Sequence, residues 1–153
     1  GQALGQPGGP EEGRLGWRFQ RIAGTPEVIL DVAHNPEAAR ALAATRREQP
    51  VPGRTLAVVG MLADKDAAGV IDALSDEVDA WWACAPESPR ARDAAALAAV
   101  LHDHVGGAPV RVQPDVSEAL AEARGAADEG DRILVFGSFY TVAAVLDHAA
   151  IQQ

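Results

Sequence analysis

Cysteine is nearly missing from this sequence. The single Cys84 can form no internal disulfide and has no thiol companion for a metal site. That fits a reducing compartment and an expectation of a cytoplasmic location. Basic residues are scarce as well: 13 Lys and Arg against 22 Asp and Glu give a formal net charge of -9. Nucleic acid and anionic membrane surfaces need clustered cations to neutralise phosphate, so neither is an expected partner. A small anionic ligand stays open, because backbone N–H groups at a helix start hold phosphate or carboxylate whatever the global charge. No apolar run approaches the ~20 residues of a membrane helix, and no basic-then-apolar stretch opens the chain. Aromatic residues are only 5% of a composition that is 48% hydrophobic. The core must therefore be built from Ala, Val, Leu and Ile, with Ala favouring closely packed helices.

Three familiar catalytic signatures are absent too. There is no Gly-x-Gly-x-x-Gly after a strand, no Gly-Lys-Ser/Thr phosphate loop and no Gly-x-Ser-x-Gly elbow. Dinucleotide binding of the common kind, self-sufficient triphosphatase activity and serine-hydrolase chemistry are disfavoured accordingly.

What is present is an alternation of short apolar runs with helical stripes, at a length of 153 residues that suits one domain. Gly1 to Gly13 is rich in Gly, Pro, Gln and Glu and reads as a linker or disordered lead-in, leaving a folded domain over 14–150. Trp17 to Ile22 and Val28-Ile29-Leu30, joined through Gly24-Thr25-Pro26, predict an antiparallel hairpin. Asn35-Pro36 opens a helix as N-cap and N1 residue, and Pro50 ends it. Further strands are expected at Thr55 to Gly60, Ala80 to Cys84, Val110 to Val112 and Arg132 to Phe136. Helical stripes follow them at Ala67/Val70/Ile71/Leu74, Ala94/Leu97/Ala98/Leu101, Val116/Leu120/Ala123 and Val142/Val145/Leu146. Asp115-Val116-Ser117-Glu118 resembles a capping box. Strand-then-helix units in series predict an α/β fold: a doubly wound, mostly parallel sheet of about six strands, helices on both faces, and one antiparallel edge strand. The non-alternating runs Val-Ile-Leu and Ile-Leu-Val-Phe fit strands buried on both sides.

In such folds ligands sit beyond the carboxyl ends of the strands. Residues expected there are Asp31 to Pro36, Gly60 to Asp66, Ala85 to Arg90, Gln113 to Asp115 and Gly137 to Thr141. Asp31 and His34 form the sharpest pair: a carboxylate that can accept from a ribose, and an imidazole that can donate to phosphate or carboxylate. The competing reading has Asp31 satisfying loop N–H groups and His34 packed in the loop. Lys65 is the one lysine beside twelve arginines, either a point charge for an anion or a surface ion pair with Asp64 or Asp66. Ser138 either caps the last helix or receives a ligand carboxylate, and the two are compatible. Trp81 and Trp82 face opposite sides of a strand and read as core. His102, His104 and His148 read as surface or structural residues.

Ile29-Leu30-Asp31-Val32-Ala33-His34-Asn35-Pro36 resembles the D-x-A-H-N-P signature of folylpolyglutamate synthases and dihydrofolate synthases. Gly60-Met61-Leu62-Ala63-Asp64-Lys65-Asp66 is similar to their G-x-L-x-D-K-D loop, Pro89-Arg90-Ala91 to their P-R-A segment, and Gly137-Ser138-Phe139-Tyr140-Thr141 to their G-S-x-x-T/V turn. Four motifs in order, across about Arg14 to His148, make the resemblance specific. It implies the carboxyl-terminal domain of a Mur-superfamily ligase, in which ATP phosphorylates a carboxylate and the glutamate amine attacks the acyl phosphate. ATP and Mg2+ are the implied cofactors. The implied partners are L-glutamate, a folate or dihydropteroate substrate, and an amino-terminal domain carrying the phosphate loop and metal ligands. No metal ligand is expected in this chain, which alone would be inactive. Carried over by motif, Asp31 and His34 would be catalytic and would contact ATP together with Asn35. Lys65, Ser138 and Phe139 would hold glutamate. The family's phosphate arginine aligns either with Arg14, which preserves Gly-Arg after Glu12, or with Arg18, which fits the distance to Asp31.

Two other readings compete. Peptidoglycan-type amino acid ligases of the superfamily usually replace the histidine of the first loop, which His34-Asn35-Pro36 retains. The other is a non-catalytic nucleotide- or anion-binding module of flavodoxin-like shape; its phosphoacceptor receiver form would need an acidic pair ending its first strand and a lysine after its last. Asp31 stands alone, and Gly137-Ser138 takes the lysine's place.

Overall fold

The structure, a computed structural model, describes residues 19–22 and 24–152; the Gly1 to Gly13 lead-in, Trp17, Arg14 and Arg18 lie outside the described residues. The elements run β1 (Phe19–Ile22), β2 (Glu27–Asp31), α1 (Pro36–Glu48), β3 (Thr55–Val59), α2 (Ala67–Leu74), β4 (Ala80–Ala85), α3 (Ala94–His104), β5 (Val110–Asp115), α4 (Val116–Ala126), β6 (Arg132–Phe136) and α5 (Phe139–Gln152). They form one sheet in the order β1-β2-β6-β3-β4-β5. Only the β1–β2 pair is antiparallel, with Phe19 opposite Asp31, and the other pairs are parallel.

The faces follow from the direction of travel. From β2 through β5 the chain moves one way across the sheet, and α1, α2 and α3 pack together on one face, over Ile29, Val59, Trp81 and Phe136. Between β5 and β6 it returns, so a right-handed crossover throws α4 to the opposite face. There α4 and α5 cover Val28, Leu30, Trp82 and Val135. Trp81 and Trp82, 0% and 3% exposed, belong to the two different cores. All four apolar positions of the α2 stripe and all four of α3 are buried. A sheet covered on both faces gives the domain its own core, the condition for folding by itself.

β5 departs from the sequence expectation. It runs on through Gln113-Pro114 to Asp115, and most of its residues are exposed or half-exposed. As an edge strand it has one unpaired side, which is where a proline without an N–H is tolerated.

At the amino ends of the strands, two buried charges fasten the frame. Arg132, 4% exposed, donates from Nε to Thr55 Oγ1 at 2.9 Å, from Nη2 to the Arg46 carbonyl at 3.1 Å, and from Nη1 to the Gln49 carbonyl. It thereby supplies a donor to the Gln49 carbonyl beyond the end of α1 and a second donor to the Arg46 carbonyl, which also accepts from the Gln49 amide at 3.1 Å. Asp131 accepts from the Arg54 amide at 2.6 Å, the Asp128 amide at 2.8 Å and Arg54 Nη2 at 2.9 Å. No helix among the described residues is long and apolar enough to cross a membrane.

Candidate functional site

Because β2, β6 and β3 are parallel and in register, Asp31 pairs with Phe136 and Phe136 with Val59. Strand spacing puts neighbouring chains about 4.8 Å apart, so three loops leave the sheet side by side. The helices that follow β2 and β3 lie on one face, and the helix that follows β6 lies on the other. That divergence is a topological switch point, where a doubly wound sheet opens a crevice at its carboxyl edge. Asp31 to Asn35, Gly60 to Lys65 and Gly137 to Phe139 flank it.

Each helix starts at this edge with a side-chain cap. Asn35 Oδ1 accepts from the Ala38 amide at 2.8 Å, and Asp66 Oδ1 from the Gly69 amide at 2.9 Å. Asp93 Oδ2 accepts from the Ala95 and Ala96 amides at 3.1 and 3.2 Å, and Asp115 Oδ1 from the Glu118 amide at 2.9 Å. Ser138 Oγ accepts from the Thr141 amide at 3.1 Å. Helix N-termini carry partial positive charge and N–H groups without intrahelical acceptors, and at α1 and α5, where the caps Asn35 and Ser138 are neutral, these starts suit an anion although the chain as a whole is acidic. The starts of α1 and α2 also touch: a Cβ on Gly69 would lie 2.7 Å from Pro36 Cγ.

Within the first loop, Asp31 Oδ1 accepts from the Ala33 amide at 2.8 Å, so this carboxylate does satisfy a loop N–H. His34 is half-buried, its Nδ1 3.1 Å from the Val32 carbonyl. A carbonyl oxygen only accepts, so the pairing assigns the proton to Nδ1; in the neutral ring Nε2 then carries the lone pair. Donation from Nε2 to an anion requires the imidazolium.

The second loop is stitched to the segment after β4. The Ala63 amide donates to the Arg90 carbonyl at 2.9 Å and the Arg92 amide to the Met61 carbonyl at 2.8 Å. Arg92 Nη2 donates to the Ala63 and Lys65 carbonyls at 3.0 and 2.8 Å. Nothing in the sequence singled out Arg92, because its partners are backbone carbonyls 27 and 29 residues away. Lys65 is half-buried, and no ion pair among the described residues involves it, with Asp64 and Asp66 included.

The third loop is held from its buried side. Ser138 is 3% exposed and Thr141 0%. Phe139 and Tyr140 are 50% and 41% exposed, with their rings edge to face at 6.0 Å. Gly137 has φ 120°, and a Cβ there would lie 2.3 Å from the Gly60 carbonyl oxygen, so glycine is required for both conformation and space.

Two further titratable side chains, Cys84 and His104, are already accounted for. Cys84 is buried, its thiol pushed up to about 12 by burial and by Asp115, so it supplies no nucleophile at neutral pH. His104 pairs with Asp72 at 2.8 Å on the surface. Among the described residues no group of three or more His, Cys, Asp or Glu side chains is arranged to hold a metal ion. The helix-start amides and the Lys65 ammonium suit an anionic ligand.

Comparison with known proteins agrees with this geometry. The family model described as "Mur ligase, glutamate ligase domain" matches residues 17–139. The chain is 44% identical over 131 residues to the dihydrofolate synthase/folylpolyglutamate synthase of Escherichia coli, a match covering 85% of this chain and 29% of that protein. It superposes on Escherichia coli FolC in complex with DHPP and ADP with a TM-score of 0.81 at 37% identity, covering 99% of this chain and 37% of that one. A bifunctional folylpolyglutamate synthase/dihydrofolate synthase with Mn, AMPPNP and L-glutamate bound gives a TM-score of 0.76 at 41% identity, covering 99% of this chain and 34% of that one. The chain thus spans less than a third of the length of that curated relative. With its sheet order, its switch-point loops and four-fifths of its residues under one family model, the chain belongs to the Mur ligase glutamate ligase domain family.

Proposed function

We propose that the chain is the carboxyl-terminal domain of an ATP-dependent folate–glutamate ligase, which forms an amide bond through an acyl phosphate and takes part of its ATP and L-glutamate site from this domain. The observation that carries the reading is the convergence of Asp31 to Asn35, Gly60 to Lys65 and Gly137 to Phe139 at one switch point. Relatives solved with ADP, or with Mn, AMPPNP and L-glutamate, add support.

ATP supplies the phosphoryl group that activates the acceptor carboxylate; this chain binds and orients. Asp31 and His34 face the nucleotide and the reaction centre, and Asn35 fixes their loop by capping α1. Lys65 offers a compact positive charge to phosphate or carboxylate. Ser138 and Phe139 hold the incoming glutamate, with Ser138 shaping the turn and the first-turn amides of α5 facing the anion. Arg14 or Arg18 reaches the phosphates. Mg2+ is held chiefly by residues of an amino-terminal domain, which also carries the phosphate loop and most of the contacts to folate or dihydropteroate. Charge stabilisation of phosphoryl transfer is concentrated there.

A heteronuclear NMR titration of the domain with ATP–magnesium and with L-glutamate tests the reading. Shifts should cluster at residues 31–35, 65 and 137–141. A well-folded sample in which all three loops stay silent at saturating ligand would argue against a half-site here.

A further inference from the structure

The hydrogen bonds around Gly60 fix the direction of every proton in a small buried relay. Thr141 Oγ1 lies 2.8 Å from the Gly60 carbonyl oxygen, which only accepts, so the threonine hydroxyl must donate there. Ser138 Oγ lies 3.0 Å from Thr141 Oγ1. With the threonine proton spent on Gly60, Ser138 is the donor in that contact, and its own oxygen accepts from the Thr141 amide at 3.1 Å. The Ser138 hydroxyl proton is therefore turned inward. It cannot reach a ligand carboxylate while the relay is intact.

We infer that Thr141 is a positioning residue that locks the loop of Lys65 to the turn of Ser138 and Phe139, so that the first-turn amides of α5 rather than the Ser138 hydroxyl meet the carboxylate of the incoming amino acid. Gly60 opens the Lys65 loop and Gly137 opens the α5 turn. The Gly60 carbonyl takes the Thr141 hydroxyl while lying against Gly137, where a Cβ would come within 2.3 Å. On the other side, a Cβ on Gly60 would lie 2.9 Å from Thr141 Oγ1. This fully buried hydroxyl, with the Gly60 amide that donates to the Phe136 carbonyl at 3.2 Å, ties together two loops whose linked residues Gly60 and Thr141 are 81 apart in sequence. The inference rests on the proposed glutamate site and deepens it.

The test compares Thr141→Val, which keeps the shape and removes the hydroxyl, with Thr141→Ser, which restores it, in the domain titrated with L-glutamate by NMR. Thr141→Val should move the amide resonances of both 60–65 and 137–140 and weaken glutamate binding about fivefold, the size of one ordinary hydrogen bond. Thr141→Ser should return both loops and the affinity to near the original. Thr141→Val shifts confined to 138–142, or an unchanged glutamate affinity in a variant of lower melting temperature, would reduce Thr141 to a structural residue and overturn the inference. A parent domain that binds no glutamate would sink the glutamate reading itself, and with it the ligand side of the inference. The loop coupling is read separately from the resonances without ligand.

Discussion

Asp131 shows how much a single carboxylate can hold together in this domain. Its side chain is 3% exposed and accepts from two amides and one guanidinium where β3 and β6 begin. Burial pushes this carboxyl up, but the hydrogen bonds from Arg54 and Asp128 and the Arg54 charge outweigh it and leave it below its ordinary value. A group depressed in the folded state contributes stability that is full above the unfolded value of about 3.9 and is lost as pH falls through the folded value. Urea denaturation between neutral pH and strong acid should therefore show an acid limb that is flatter in Asp131→Asn than in the parent. Identical limbs would remove Asp131 from the acid response. The same scale shows the limit of reading side chains from sequence. Asp31, His34, Lys65 and Ser138 stand out as candidates from residue type and position after a strand, but the tautomer of His34 and the proton direction at Ser138 depend on Val32, Thr141 and Gly60 carbonyl and hydroxyl positions that only coordinates supply.

At the scale of elements, α1 is held at both ends by different means. Asn35 and Pro36 form its start locally, within one turn of sequence. Its end depends on Arg132, 83 residues beyond Gln49, which reaches the Gln49 and Arg46 carbonyls. Burial lowers the pKa of this guanidinium, while Glu27, Glu77 and Asp79 offset the cost of keeping it charged. Arg132→Met should fill the space but leave the Gln49 carbonyl and the Thr55 hydroxyl without this donor, while the Arg46 carbonyl keeps the Gln49 amide, costing about 1–3 kcal/mol in chemical denaturation. A loss below about 0.5 kcal/mol would mean that water or a neighbouring donor takes over, as a surface substitution would allow. The helix starts were legible because caps are local: Asn35, Asp115 and Ser138 sit where sequence places them. The end of β5 was not, because an edge strand is decided by its neighbour and Gln113-Pro114-Asp115 carries the pattern of a loop.

At the scale of the molecule, the described residues form one sheet covered on both faces and, on the proposed reading, part of a catalyst. The chain supplies anion-attracting helix starts at one edge, and its described residues contain no metal-ligand cluster. Alone it should show no glutamate-dependent ATP hydrolysis above background. On the proposed reading, joined to the part of the Escherichia coli relative that it does not match, it should support ligation measured as ADP release that requires both L-glutamate and the folate substrate. Turnover by the isolated chain would overturn the division of labour. The sequence by itself determined the element types, the two apolar cores and the four motifs at strand ends, since periodicity, caps and apolar runs act over one or two turns of chain. Tertiary structure alone decided that β6 enters between β2 and β3. That choice depends on pairing strands about a hundred residues apart, Asp31 with Phe136, and on the crossover handedness that sends α4 and α5 to the second face. It is this insertion that brings Ser138 and Thr141 between the His34 and Lys65 loops.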